Sequence, residues 1–217
     1  MEYLVTMTTH VPDGTPAEAV DDARAREAAH TRELAAQGHV LRLWRPPLAP
    51  GEWRTIGLFA AADADELERV LASMPLRVWR SDEVKELAPH VNDPDPSALP
   101  STSPASGETE FFVHFTPAVP EGTPAQDVAA ATAGEAERTR ELAGQGHLVR
   151  LWVLPTEHGV TPALGLWHAD GDAEMQAIVE SLPLYKYFTA QTTKLTPHPS
   201  DPAAPGSRSL RIGADRG

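Results

Sequence analysis

Residues 31–44, TRELAAQGHVLRLW, recur at residues 139–152 as TRELAGQGHLVRLW. This pair is part of a longer repeat, because residues 2–94 align without a gap with residues 110–202, at a constant offset of 108. Roughly four positions in ten are identical between the copies. The chain therefore contains two fused copies of one unit of about 90 residues. It can form alone what a single copy would form as a homodimer.

Both copies show the same predicted order of strands and helices. An alternating strand comes first, and a long helix follows, with a capping-box signal at residues 15–18 (TPAE) and a stop at Gly38. Two strands come next, at residues 39–45 and 54–60 of the first copy. A shorter helix that ends at Pro75 and a last strand near residues 78–87 complete the order βαββαβ. This order is the ferredoxin-like plan of the α+β class, with both helices on one face of an antiparallel sheet.

Each sheet has helices on one face only, and its other, apolar face must be covered. The predicted role of the second copy is to cover this face of the first. The sequence therefore predicts an α+β fold of two tandem ferredoxin-like βαββαβ repeats packed as a pseudo-dimeric α+β barrel. The expected boundaries are residues 1–91 for the first repeat and 109–199 for the second. Residues 92–108 are expected to form a Pro- and Ser-rich linker, and residues 200–217 a disordered tail.

Composition excludes several classes of function. The net charge is −13, and no long basic run is present, which argues against a nucleic-acid or anionic-membrane partner and favours a small molecule. No apolar run of about 18 residues and no signal peptide are found, so a cytoplasmic location is expected. Cysteine is absent, and no metal-ligand spacing or Gly-rich phosphate loop occurs. No metal and no cofactor are therefore expected.

Glu27 is the first candidate catalytic residue, and Glu135 is its counterpart in the second copy. Each glutamate lies on the same helical stripe as small and apolar residues, which in the first copy are Val20, Ala23, Thr31 and Leu34. A carboxylate on an inward stripe loses hydration, which should raise its pKa toward the range of a general base. The alternative is a buried ion pair with Arg42 or Arg150 on the neighbouring strand.

Three arginines accompany the first glutamate. Arg24, Arg45 and Arg54 lie on the same helix and on the following strands. The second copy has Thr132, Val153 and Pro162 at these positions. Arginine forks can hold a carboxylated substrate, which predicts that the first half is the more active one. The alternative is that these arginines are solvated surface residues.

Arg42 and Arg150, two histidines and three tryptophans complete the candidate substrate-binding residues. His39 and His147 follow the end of the long helix, where an imidazole can contact helix carbonyls. Trp44, Trp53 and Trp152 can serve either as core or as a platform for a ligand.

Several short motifs carry a resemblance to a known family. In the first copy they are residues 23–27 (ARARE), 42–45 (RLWR), 51–53 (GEW), 74–76 (MPL) and 89–90 (PH); in the second, residues 182–187 (LPLYKY) and 198–200 (HPS). They resemble muconolactone Δ-isomerase, whose units read K-A-x-E, H-L-W-R, G-x-Y and L-P-L-F-P-Y followed by H-P-S. The resemblance covers nearly the whole chain outside the linker and the tail.

The resemblance implies a ferredoxin-like fold that associates into barrels and larger rings, without a cofactor. It also implies proton movement within an unsaturated lactone, in aromatic catabolism. The family glutamate corresponds to Glu27 and Glu135. The family lysine is replaced by Arg24 in the first copy, and the histidine of H-L-W-R is replaced by Arg42 and Arg150.

The expected function is therefore that of a cofactor-independent isomerase acting on an unsaturated lactone or related cyclic carbonyl compound. The protein can also form a homo-oligomer of the pseudo-dimer. Two alternatives remain open. One is a recruited natural-product tailoring enzyme for polyketide-like rings, such as a cyclase or ring-opening enzyme. The other is a barrel that binds a small molecule without catalysis.

Overall fold

The computed structural model describes residues 1–95, 107–155 and 161–204. Most of the predicted linker and of the predicted tail lies outside these residues. Within the described ranges, no helix has the length and apolar character that a membrane span requires.

The two repeats have the same order of elements. The first contains β1 (Glu2–Thr9), α1 (Ala17–Ala36), β2 (Val40–Arg45), β3 (Arg54–Ala60), α2 (Ala64–Ser73) and β4 (Arg80–Pro89). The second contains β5 (Thr109–Pro117), α3 (Ala125–Gly144), β6 (Leu148–Val153), β7 (Ala163–Ala169), α4 (Asp172–Glu180) and β8 (Phe188–Pro197). This order confirms the predicted α+β class and the two tandem ferredoxin-like repeats.

Two local predictions differ from the structure. The predicted capping box does not form, because the Thr15 hydroxyl donates to the carbonyl of Pro12 at 2.7 Å and α1 begins only at Ala17. The last strand of the first repeat begins two residues later than expected, because a 3₁₀ helix occupies Pro75–Trp79. The predicted helix stop is confirmed, since Gly38 has a φ of +86°, which only glycine adopts without strain.

The chain forms two compact units whose boundaries differ from those of the repeats. Of the described residues, the first unit contains 1–86 and 196–204, and the second contains 87–95 and 107–195. Each unit is thus completed by the end of the other repeat. Asp201, which the sequence placed in a disordered tail, is fully buried in the first unit, and Asp93, placed in the linker, is buried in the second. Packed residues therefore continue past the predicted repeat ends at residues 91 and 199.

In the first unit, β3 pairs with β1 and with β2, both antiparallel. Residues 196–204 form the exchanged segment, which belongs to the second repeat by sequence and to the first unit by structure. Its first residues extend this sheet, because Thr196 pairs with Arg45 and Pro197 with Trp44. Side chains of β1 are buried in alternation, and Tyr3, Val5 and Met7 pack in one core with Leu34 of α1 and Leu71 of α2. Both helices therefore cover the same face of the sheet, as the ferredoxin-like plan requires.

In the second unit, β7 pairs with β5 and with β6, and β5 also pairs with β8. The end of β4 adds to this sheet through the pair Ala88 and Val153. Phe111, Val113 and Phe115 pack in one core with Leu142 of α3 and Val179 of α4. The second unit thus repeats the layering of the first.

Candidate active site

A cavity of about 520 Å³ lies in the first unit, between α1 and the sheet. Its wall includes Met7 and Thr9 from the helix-covered face of β1, and Leu43 from β2. The charged and imidazole side chains that line it are Arg24, Glu27, Arg45, Glu52, Arg54, Arg80 and His198. A space of this volume can hold a small cyclic molecule.

Glu27 lies on the α1 wall of this cavity. Its side chain is 13 % exposed, Oε2 accepts the backbone N–H of Leu76 at 2.8 Å, and Oε1 accepts Nη1 of Arg80 at 3.2 Å. Burial raises the pKa of Glu27 above its usual value, and the Leu76 N–H and the Arg80 guanidinium oppose this shift. The carboxylate is therefore poorly hydrated, fixed in orientation, and suited to accept a proton.

Arg80 is the cation that pairs with Glu27, and it is not among the site residues predicted from the sequence. Its side chain is only 2 % exposed, and it also donates to Asp82 through Nε at 2.6 Å and Nη2 at 3.0 Å. Asp82 is in turn ion-paired with Arg77, which also pairs with Glu68. A chain of alternating charges thus fixes the guanidinium beside the candidate base.

The three predicted arginines do line the same cavity, together with Trp53. The guanidinium of Arg24 lies 4.4 Å from the centre of the Trp53 ring, in cation–π geometry. The side chains of Arg24 and Arg54 remain 56 % and 38 % exposed, and Arg45 is also exposed. These cations therefore mark the solvent side of the cavity, in contrast to the buried Arg80.

Arg42 and Trp44 do not line the cavity. They alternate with Leu43 along β2, and because Leu43 faces the cavity, its two neighbours lie on the other face of the sheet. Arg42 is fully buried and binds Asp201, with Nη2 3.0 Å from Oδ2. The ion pair between Glu27 and Arg42 that the sequence offered as an alternative is therefore wrong.

Arg150 and Trp152 repeat this arrangement in the second unit. The Nε of Arg150 lies 3.1 Å from Oδ2 of Asp93, and the guanidinium lies 4.9 Å from the centre of the Trp152 ring. Both side chains are buried, so their expected contact with a substrate gains no support. The ion pair between Glu135 and Arg150 offered as an alternative is wrong as well, because Arg150 binds Asp93.

His39 and His147 make equivalent contacts in the two units. The imidazole Nδ1 of His39 lies 3.1 Å from the carbonyl oxygen of Ala60 in β3, and that of His147 lies 3.0 Å from the carbonyl oxygen of His168 in β7. The expected contacts between the imidazoles and helix carbonyls are therefore wrong. The backbone N–H of His39 bonds to the helix instead, at the carbonyl of Leu34.

His198 is a second residue of the cavity that is not among the site residues predicted from the sequence. It follows β8 and enters the first unit with the exchanged segment. The sequence does contain a signal for His198, because this residue is the first of the H-P-S motif that contributes to the family resemblance. The signal for Arg80 is that the second copy has Phe188 at the corresponding position, so Arg80, like the three predicted arginines, is a cation found only in the first copy.

Glu135 keeps only part of this environment. Its Oε2 accepts the N–H of Leu184 at 2.9 Å, and burial raises its pKa while that hydrogen bond opposes the shift. Phe188 stands where the first unit has Arg80, and Phe115 stands in place of Met7. The two phenyl rings are in edge contact, with centroids 4.8 Å apart. The position that holds a cation beside Glu27 thus holds an aromatic side chain in the second unit.

Within residues 1–95, 107–155 and 161–204, no three His, Asp or Glu side chains are grouped so that they could hold a metal ion.

The fold and the cavity define a ferredoxin-like α+β protein with a buried carboxylate in a site of small-molecule size. The sequence profile of the muconolactone delta-isomerase family matches residues 1–93 and 109–201. The chain therefore belongs to the muconolactone delta-isomerase family, in a form with two family units.

Individual relatives agree with this assignment. Muconolactone Delta-isomerase of Cupriavidus pinatubonensis is 34 % identical over 90 residues, which is 42 % of this chain and 95 % of the relative. Muconolactone Delta-isomerase 1 of Acinetobacter lwoffii is 31 % identical over 90 residues, which is 42 % of this chain and 91 % of the relative. One relative thus corresponds in length to one repeat.

Similar solved structures extend over nearly the whole chain. A heme-binding protein from Thermus thermophilus has a TM-score of 0.55 at 15 % identity, covering 92 % of this chain and 93 % of that protein. A mutant chlorite dismutase from Candidatus Nitrospira defluvii has a TM-score of 0.57 at 10 % identity, covering 90 % of this chain and 92 % of the dismutase. At such low identity these likenesses show a shared fold alone.

Proposed function

We propose that this protein is a cofactor-independent isomerase that shifts a proton within an unsaturated lactone or a related cyclic carbonyl compound. The observation that carries the proposal is the position of Glu27. It is a buried carboxylate with a raised pKa, held by two hydrogen bonds on the wall of a cavity of small-molecule size. Membership of the muconolactone delta-isomerase family supports the same chemistry.

In the proposed reaction, the Glu27 carboxylate removes an acidic proton from a ring carbon that is conjugated to the carbonyl. The C–H electron pair moves into the conjugated system and forms an enolate. The protonated Glu27 then returns the proton to another carbon of that system, so the double bond changes position. No atom is gained or lost, and the glutamate ends in its starting state.

The cations around the cavity have two proposed roles. Arg80 stays next to Glu27 and stabilises the negative charge that passes between the carboxylate and the enolate. The exposed Arg24, Arg45 and Arg54 bind a carboxylate of the substrate at the solvent side. A lactone that carries a carboxylate would use both, because its ring forms the enolate near Arg80 and its carboxylate binds the exposed arginines.

We assign this chemistry to the first unit. The second repeat has Thr132, Val153, Pro162 and Phe188 at the positions of the four arginines. The ring contact between Phe115 and Phe188 further supports a structural role for the region around Glu135.

Hydrogen exchange in deuterated water tests the proposal. An unsaturated γ-lactone carboxylate is incubated with the enzyme, and deuterium at the carbons conjugated to the carbonyl is followed by NMR. Glu27→Gln should lower the exchange rate by about a hundredfold or more, the usual contribution of a general base. The matched control is Glu18→Gln on the exposed start of the same helix, which should leave the rate unchanged.

Two other outcomes would point elsewhere. Binding of the lactone without any exchange would favour the non-catalytic barrel. Exchange only with larger polyketide-like rings would favour a tailoring enzyme of natural-product biosynthesis over one of aromatic catabolism.

We also propose that the enzyme acts in the cytoplasm and that the fused chain self-associates. Cell fractionation would check the location. Analytical ultracentrifugation would check the oligomeric state.

A further inference from the structure

The position of His198 in the cavity is fixed by its backbone. Its N–H donates to the carbonyl of Leu43 on β2 at 3.0 Å, and its carbonyl accepts the N–H of Asp201 at 2.8 Å. Asp201 is itself held by its buried ion pair with Arg42. The backbone of His198 is thus held by hydrogen bonds on both sides, to β2 and to Asp201.

The imidazole ring has a defined tautomer. The backbone N–H of Ser200 donates to Nδ1 of His198 at 3.1 Å. A ring nitrogen that accepts a hydrogen bond has no proton of its own, so the proton of the neutral ring is on Nε2. Nε2 is therefore a donor, and the structure gives it no partner among the residues that it describes.

The charge of the ring is also defined. Burial lowers the pKa of His198 to about 4, and the neighbouring Arg45 guanidinium adds to this effect. A second proton would have to enter at Nδ1, opposite the Ser200 N–H, which makes the charged form less favourable still. At neutral pH the cavity thus contains an uncharged N–H donor in addition to its arginines.

We propose that His198 is a substrate-binding residue that donates its Nε2–H to the carbonyl oxygen of the ring that Glu27 deprotonates. This role rests on the proposed isomerase function and adds a residue to it. A neutral donor binds the carbonyl in the ground state and binds it more strongly as the oxygen becomes an enolate. The arginines remain free to hold the carboxylate of the same substrate.

This assignment gives the second repeat a part in the first active site. His198 belongs to the second repeat by sequence and to the first unit by structure. The cavity of the first unit is incomplete without it. The fusion of two copies then supplies, within one chain, a donor that one copy would have to take from a second.

NMR of the imidazole nitrogens in the full-length protein tests the tautomer without any substrate. His198→Gln assigns the signals. We expect the neutral Nε2–H form at pH 6, where a free imidazole with the usual pKa of about 6.5 is mostly charged. An Nδ1–H tautomer, or a charged ring at pH 6, would overturn the proposal.

Addition of a saturated γ-lactone carboxylate, which cannot isomerise, tests the contact itself. The Nε2–H signal of His198 should shift, and the infrared carbonyl stretch of the bound lactone should fall in frequency. His198→Phe should abolish the fall, whereas His198→Gln, which retains an N–H donor, should preserve part of it. If the lactone binds and the His198 signals do not move, only the role of His198 is refuted. If the lactone does not bind at all, the proposed function fails, and this role fails with it.

Kinetics complete the test. His198→Phe should lower kcat by about a hundredfold or more, as loss of an oxyanion donor does, and His198→Gln should lose less than about tenfold. The matched control is His90→Phe, which changes the equivalent histidine of the second unit and should leave turnover unchanged. Equal losses in His198→Gln and His198→Phe, with normal circular dichroism, would mean that the N–H donor is not what His198 contributes and would contradict the proposal.

Discussion

Arg42 and Asp201 lie 159 residues apart in the chain, and they form an ion pair from which solvent is fully excluded. Both carboxylate oxygens of Asp201 accept from Nε of Arg42, and Oδ1 also accepts the N–H of Leu43. This pair holds the exchanged segment against β2, next to the cavity. The second unit has the same arrangement in Arg150 and Asp93.

Asp201→Asn should strongly destabilise the first unit. The substitution removes the negative charge that pairs with the buried Arg42 guanidinium. Loss of one partner of a buried pair typically costs about 3–5 kcal/mol in the free energy of unfolding. Denaturant unfolding followed by circular dichroism measures the loss. The control is Glu83→Gln, which breaks an exposed pair with Lys85 and should cost less than about 1 kcal/mol. Equal midpoints for the two variants would show that the buried pair is dispensable.

A fragment of residues 1–95 should not be a stable monomer. It lacks Asp201 and His198, so its Arg42 loses the buried ion pair with Asp201. A second copy can supply Asp93, the counterpart of Asp201, and the fragment should therefore form a homodimer or aggregate. Size-exclusion chromatography with light scattering distinguishes these states. Asp93→Asn in the fragment should weaken the dimer, and a folded, monodisperse monomer of 95 residues is the result that the prediction forbids.

The two glutamates should contribute unequally to turnover. Glu27→Gln should lower kcat by about a hundredfold or more because it removes the proposed base. Glu135→Gln should leave kcat nearly unchanged, because the arginine positions around it hold Thr132, Val153, Pro162 and Phe188. Initial rates of the two variants, measured side by side, check this prediction. Similar losses in both would show that the two units are equivalent.

Arg80→Met should move the pH dependence of catalysis. The Arg80 guanidinium lowers the pKa of Glu27, in opposition to burial, so its removal leaves that pKa higher still. A general base acts only when ionised, so the acid limb of kcat/KM against pH should shift to higher pH. The control is Arg24→Met at the solvent side of the cavity, which should raise KM without moving the limb. An unchanged limb in Arg80→Met would show that Glu27 is not the group that titrates.

Exhaustive dialysis against a chelator should leave turnover intact. The proposed reaction needs only the carboxylate of Glu27 and nearby hydrogen-bond donors, so no metal takes part in any step. Rates before and after dialysis, and after addition of Mg²⁺, Mn²⁺ or Zn²⁺, check this. Recovery of lost activity by one of these ions would refute the proposed mechanism.

The sequence predicted the parts of the site that depend on local periodicity. The inward position of Glu27 follows from helical spacing, since Ala23, Thr31 and Leu34 on the same stripe are buried in the structure. The role of Arg42 could not be predicted in this way. All of β2 except Arg45 is buried, so its pattern does not show which face meets the helices.

By itself, the sequence determined that this protein is two copies of one α+β unit, with a glutamate on the inner stripe of each long helix, because repeats and periodicity are local properties of the chain. Only the tertiary structure decided that Arg80 meets Glu27, that Arg42 binds Asp201, and that His198 enters the first unit. These contacts join segments that are distant in the chain. Which segments meet depends on strand register and on the exchange of chain ends between the units, and the spacing of residues within one helix or strand contains no information about either.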